Sequence, residues 1–107
     1  PCSPMKIARR PETNELYSVW NPIPNYNGRP LNKASWGRTP LVFAASRDEG
    51  VTWSECRIIE DDPECGYCYP SVFFTADNAM VVAYCSGGPQ DGGCLAKLSM
   101  MKIPLEA

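Results

Sequence analysis

Histidine is absent from the 107 residues, basic residues cluster nowhere beyond Arg9-Arg10, and the formal net charge is −2. A surface for nucleic acid or an anionic membrane needs a concentration of Lys and Arg, so neither partner is expected. No apolar run approaches the ~18 residues of a membrane-spanning helix, and no charged N-terminal stretch leads into an apolar one. Cys65-Gly-Tyr-Cys68 has the spacing of a redox motif, but no βαβ pattern surrounds it. No histidine or second Cys-x-x-Cys completes a zinc site, so no metal and no cofactor is expected. Helical periodicity is also missing throughout, which excludes an amphipathic-helix architecture.

What the chain does have is β signal. Short β-branched and aromatic runs recur between Pro, Gly, Asn and Asp clusters, which predicts an all-β fold. Seven strands are expected: Met5 to Arg9, Leu16 to Asn21, Pro40 to Ser46, Thr52 to Glu60, Tyr69 to Thr75, Ala79 to Cys85 and Cys94 to Ile103. The turns between them carry residues suited to tight or left-handed backbone: Glu12-Thr13-Asn14, Asp48-Glu49-Gly50, Ala76-Asp77-Asn78 and Ser86-Gly87-Gly88-Pro89. Pro22 to Arg38 is a long Asn-, Gly- and Pro-rich loop with Tyr26, Trp36 and Arg38, and loops of that length are usually functional or mobile. Leu41 to Ala45, Val72 to Phe74 and Met80 to Tyr84 are apolar continuously, which predicts sheets covered on both faces.

Six cysteines are many for a cytosolic protein and favour a secreted or periplasmic setting, although sequence does not choose among their pairings. Cys85 and Cys94 flank a predicted hairpin loop and are one candidate disulfide. Glu60-Asp61-Asp62-Pro63-Glu64 reads as a solvated turn, because consecutive carboxylates on a strand point to opposite sides and no spaced calcium loop follows.

Ser46-Arg47-Asp48-Glu49-Gly50-Val51-Thr52-Trp53 fits the pattern S-x-D-x-G-x-x-W. Its chemistry is local: Asp48 accepts hydrogen bonds from turn amides, Gly50 supplies a positive φ, and Trp53 packs back beneath the hairpin. Ser46, Asp48, Gly50 and Trp53 are therefore structural candidates. The motif resembles the Asp-box of sialidase-like six-bladed β-propellers. Arg38 to Ser46 is similar to the family's strand that opens on an arginine and leads into an Asp-box. Tyr69-Pro70-Ser71-Val72 resembles the segment that begins the last blade, and Met101 to Leu105 the closing strand.

The resemblance implies antiparallel propeller blades: one over about residues 1–62, and an incomplete last blade over about 63–107 that lacks its outer strand. It implies a C-terminal portion of a glycoside hydrolase cleaving a terminal glycosidic bond, with the chain inactive alone. Tyr69 takes the position of the family's tyrosine nucleophile and Arg38 that of an arginine gripping the substrate carboxylate. A phenol suits this role, because a sialoside's anomeric carbon already bears a carboxylate that repels an anionic carboxylate nucleophile. Arginine suits the other, because its planar fork meets a carboxylate bidentately. Trp36 and Asn21 are further substrate-facing candidates, Trp36 as an aromatic platform for a sugar ring. Trp20-Asn21 stands where the family has another arginine, and Cys2-Ser3 where it has a glutamate.

Three functions follow as expectations: a sialidase-like hydrolase, a propeller that binds a sialic-acid-like or other acidic glycan without cutting it, and a structural unit that assembles. Two blades leave apolar faces and an open strand edge uncovered. Either the remaining blades of a longer chain or further copies, in a closed ring of three, are expected to cover them.

Overall fold

The computed structural model describes residues 4–22, 38–62 and 64–105. The described residues are all-β, with seven strands in two antiparallel sheets. The first sheet is a meander of β1 (Lys6–Arg9), β2 (Leu16–Trp20), β3 (Leu41–Ser46) and β4 (Arg57–Glu60). The second is β5 (Cys68–Phe74), β6 (Ala79–Cys85) and β7 (Leu98–Pro104), again in chain order. Among the described residues no helix is long and apolar enough to cross a membrane.

Turn chemistry fixes the registers. Between β1 and β2, Arg10 N–H donates to Glu15 O and Asn14 N–H to Arg10 O, and Asn14 takes φ +64°, which its short amide side chain tolerates. Lys6 thereby faces Val19 and Ala8 faces Tyr17. Between β5 and β6, Asn78 takes φ +60° and Thr75 N–H donates to Ala79 O. Phe74 then faces Met80, and Met80 faces Ile103 on β7.

Strand alternation puts one face of each sheet against the other. Tyr17, Val19, Leu41, Phe43 and Ile59 of the first sheet form a single core with Met80, Val82 and Tyr84 of the second, and Val72, Phe74, Met101 and Ile103 pack on it. Val19, Leu41, Met80 and Val82 are fully buried, and each contributes roughly 1.5–3 kcal/mol through burial. The Tyr17 ring stands edge-on to Phe74 at 5.4 Å and beside Phe43 at 6.5 Å, linking the sheets. Glu60 accepts a 2.8 Å bond from the Tyr84 hydroxyl, a second link.

The other faces differ from the expectation drawn from continuous apolar runs. β3 is indeed buried on both sides, Val42 and Ala44 included. On the second sheet, however, Phe73, Leu98 and Met100 lie 67%, 73% and 71% exposed. They share that face with Val81, Ala83 and Cys85, their cross-strand partners. On the first sheet, Ile7 and Ile58 stand half-exposed beside Ser18, Val42 and Ala44.

Two strands begin several residues later than the sequence suggests. β4 begins at Arg57 rather than Thr52, because Thr52, Trp53 and Ser54 are engaged in the preceding turn. β7 begins at Leu98 rather than Cys94: Gly92 and Gly93 take φ +91° and +136°, and Cys94–Ala96 forms a 3-10 turn. The strands define two ends of the molecule. The hairpin end carries 10–15, 47–56 and 75–78; the loop end carries, of the described residues, 21–22, 38–40, 61–62, 64–67 and 86–97.

Candidate functional site

The Asp-box residues behave as a folding device at the hairpin end. Ser46, 1% exposed, donates to Asp48 Oδ1 at 2.8 Å and accepts from Gly50 N–H at 2.9 Å. Asp48 accepts from Thr52 N–H at 2.8 Å and from the Thr52 hydroxyl. These Thr52 bonds, with that from Ser46, hold the Asp48 carboxyl at a pKa of about 2. Gly50 has φ +88° as expected, and Trp53 Nε1–H donates to Gly50 O at 3.1 Å. The Trp53 ring is 39% exposed, so it covers the hairpin while one side meets solvent.

A residue that sequence reading passed over latches this end. Arg10, 2% exposed, donates from Nη2 to Asn78 Oδ1 at 3.0 Å and lies 3.8 Å from Glu15, joining the turns of both sheets. Burial pushes the Glu15 carboxyl up, but bonds from Arg47 and Thr13 and the charges of Arg47 and Arg10 outweigh it, so its pKa is lowered. The one available signal was position: an arginine next to an expected turn, followed by Glu12 and Glu15.

The chemistry-bearing candidates gather at the loop end. Arg38 precedes β3, and its carbonyl accepts Tyr67 N–H at 2.7 Å, which sets it beside the start of β5. Its guanidinium carbon lies 5.6 Å from the centre of the Tyr69 ring, a cation–π contact. Tyr69 is 51% exposed and takes φ +52° just before Pro70, a backbone state that a bulky side chain rarely adopts. A register shift between Cys68 and Ser71 accommodates it.

Asn21 directly follows β2 and bonds backbone on either side of this pair's elements. It is 2% exposed, and its amide nitrogen donates to Pro40 O at 2.9 Å and Tyr67 O at 3.0 Å. Its amide group thereby braces the backbone that follows Arg38 and precedes Tyr69. Its Oδ1 is buried with no hydrogen-bond partner among the described residues. Trp36 and Tyr26 lie outside the described residues, as does Cys2.

Beneath Arg38 lie two thiols. Arg38 Nη1 donates to Cys68 Sγ at 3.3 Å and to Cys94 Sγ at 3.6 Å, and the sulfurs are 3.9 Å apart. Burial raises the Cys68 pKa to about 12, against the lowering bond from Arg38. The expected Cys85–Cys94 neighbourhood is thus replaced by Cys68 with Cys94. The reason is that the turn at Cys94–Ala96 directs Cys94 inward, while Cys85 continues β6. Cys65 contacts Asp62 instead of its Cys-x-x-Cys partner, and Asp62 shapes its own turn by accepting Glu64 N–H at 2.9 Å. No group of metal ligands forms among the described residues.

A groove of about 970 Å³ opens at the hairpin end, away from Arg38 and Tyr69, with Tyr17, Phe43, Ala45 and Arg57 along its floor and Leu105 on one wall. No family model, curated protein or solved structure matches the chain. What the fold defines is an all-β protein of two face-packed antiparallel sheets, with a self-bonded hairpin end and an Arg–Tyr pair at the loop end.

Proposed function

We propose that the chain forms about two blades of a sialidase-like β-propeller and presents Arg38 and Tyr69 to an acidic glycan of the sialic-acid type. The observation that carries this reading is the Arg38 guanidinium over the half-exposed Tyr69 ring, with Asn21 tying together the adjoining backbone at Pro40 and Tyr67. A guanidinium offers a fixed fork to a carboxylate, and an aromatic face offers apolar contact to a pyranose ring. The same two surfaces give affinity for a sugar acid over a neutral sugar.

Propeller architecture is supported by three features of the sheets. Both are meanders in chain order, they pack face to face, and the Asp-box occupies the hairpin between the third and fourth strands. The exposed face bearing Phe73, Leu98 and Met100 and the groove beside Leu105 are what further blades and a fourth strand would cover. These are either the remaining blades of a longer chain or further copies in a closed ring of three.

Binding without hydrolysis is preferred. A tyrosine nucleophile needs a base beside its hydroxyl, and the family position for that glutamate falls at Cys2-Ser3. Hydrolysis is the second reading, supported by the position of Tyr69 at the opening of β5.

The test is titration of the full chain with sialylated, other carboxylated and neutral oligosaccharides, beside a fluorogenic sialoside assay. The expected result is binding confined to the carboxylated sugars, lost in Arg38→Ala, with no turnover. Turnover abolished by Tyr69→Phe would establish the hydrolase instead. A folded protein that binds none of them would leave only the structural unit, and a monodisperse 11.8 kDa monomer in light scattering would count against the ring.

A further inference from the structure

We infer that Cys68 and Cys94 are a disulfide-forming pair, oxidised by exchange with a small-molecule or protein disulfide, which cross-links the start of β5 to the connection before β7. The two residues are 26 apart in the chain, their sulfurs lie 3.9 Å from each other, and both side chains are buried. A disulfide requires an S–S separation of about 2.0 Å. The remaining approach is within reach of side-chain rotation.

The backbone around Cys94 is held in place before any bond forms. Gly87 N–H donates to Cys94 O at 3.0 Å, Ser86 N–H donates to Lys97 O at 2.9 Å, and Gly66 N–H donates to Gly87 O at 2.9 Å. A Cβ on Gly87 would meet Gly93 O at 2.1 Å, so only glycine permits the close passage of these two segments. Cys68 is fixed on the other side by pairing with Cys85 in the sheet. Each thiol is thus carried by backbone that is already bonded.

The chemistry balances as two successive exchanges. A thiolate of one cysteine attacks the external disulfide, forms a mixed disulfide and expels one external thiolate. The second cysteine, losing its proton, attacks the protein sulfur of that mixed disulfide and expels the other. Two protein thiols lose two electrons and two protons, and the external disulfide becomes two thiols. Arg38 Nη1, within reach of both sulfurs, stabilises the attacking thiolate. Burial of Cys68, which raises its pKa, makes exchange slow in the folded protein, so the bond forms as the chain folds and is shielded afterwards. None of this depends on what the Arg38–Tyr69 surface binds.

The experiment is refolding of the full chain in a glutathione redox buffer, followed by mass measurement and peptide mapping under non-reducing conditions. A product lighter by two hydrogen atoms, with Cys68 and Cys94 joined, is expected. Reduction should lower the thermal midpoint by about 10 °C. That shift should vanish in Cys94→Ser and in Cys68→Ser, and persist in Cys85→Ser. A bond mapped to Cys85–Cys94 or Cys65–Cys68, or six thiols still titrating free after equilibration, would overturn the assignment. Should a serine variant fail to fold, the wild-type peptide map decides alone.

Discussion

At the hairpin end, positive φ falls on Asn14, Gly50 and Asn78, residues that tolerate it, and on Glu49; at the loop end it falls on Gly92 and Gly93, which tolerate it, and on Tyr69, an aromatic before a proline. Side-chain bonding divides the same way. Ser46, Asp48 and Thr52 satisfy one another within one turn, Trp53 Nε1–H donates to Gly50 O in the same turn, and Arg10 joins that end's hairpins through Asn78. At the loop end the buried Asn21 Oδ1 has no partner among the described residues, and an arginine is held by thiols and a ring face. The contrast teaches that one end closes its polar chemistry on itself, while the other leaves a buried amide oxygen unbonded beneath a half-exposed aromatic ring, as the proposed binding surface requires.

If that division is real, substitutions at the two ends differ in kind. The largest loss is expected for Arg10→Met, which takes from Asn78 Oδ1 its 3.0 Å donor and from Glu15 one of its two cations, and so unties the two sheets. Removing one member of a buried charged network costs about 3 kcal/mol, read as a lowered urea midpoint. Ser46→Ala follows at about 1–3 kcal/mol, because Gly50 N–H and Asp48 lose their buried partner. A stability equal to wild type in either variant would remove the claim that this end holds the fold.

The loop end should answer differently. Tyr69→Gly releases a left-handed strain of order 1 kcal/mol and forfeits a stacking contact of about 0.5–1 kcal/mol, so the urea midpoint should stay level or rise. Carboxylated-glycan binding should nonetheless fall at least as far as in Arg38→Ala. A variant that unfolds would show that Tyr69 is a packing residue and that the two ends are alike.

Sequence carried the fold further than the site. β6 runs over the same Ala79–Cys85 that its apolar run predicts, and the Asp-box bonds follow from residue type alone, because each is made within a few positions. What escaped was chemistry assembled across distance. Arg10 meets Asn78 from 68 residues away, and Cys68 meets Cys94 only because glycines fold the connection inward. Arg38 and Tyr69 were legible as candidates through resemblance, but their mutual stacking was not, since it depends on the Arg38–Tyr67 backbone bond. Phe73 misled for a related reason: a continuous apolar run does not say which face finds a partner within the chain.

The smallest expected effect concerns acid, and its sign is set by the hairpin end. Asp48 and Asp77 both have carboxyls held at a pKa of about 2, Asp48 chiefly by Thr52 and Asp77 chiefly by the Lys102 side chain at 2.9 Å. Both values lie below the ordinary 3.8, so the folded state binds these protons more weakly than the unfolded chain does. Their stabilisation is therefore complete above pH ~4 and fades as pH falls through about 2. Both groups are exposed and solvent screens them, so the change in urea midpoint over that window should be modest. Asp48→Asn keeps most of the turn's shape and removes the titration, and it should flatten the wild-type slope. An unchanged slope in Asp48→Asn and Asp77→Asn together would mean that the acid-labile groups lie outside these turns. In that event the self-bonded character of the hairpin end would rest on Ser46 and Arg10 alone.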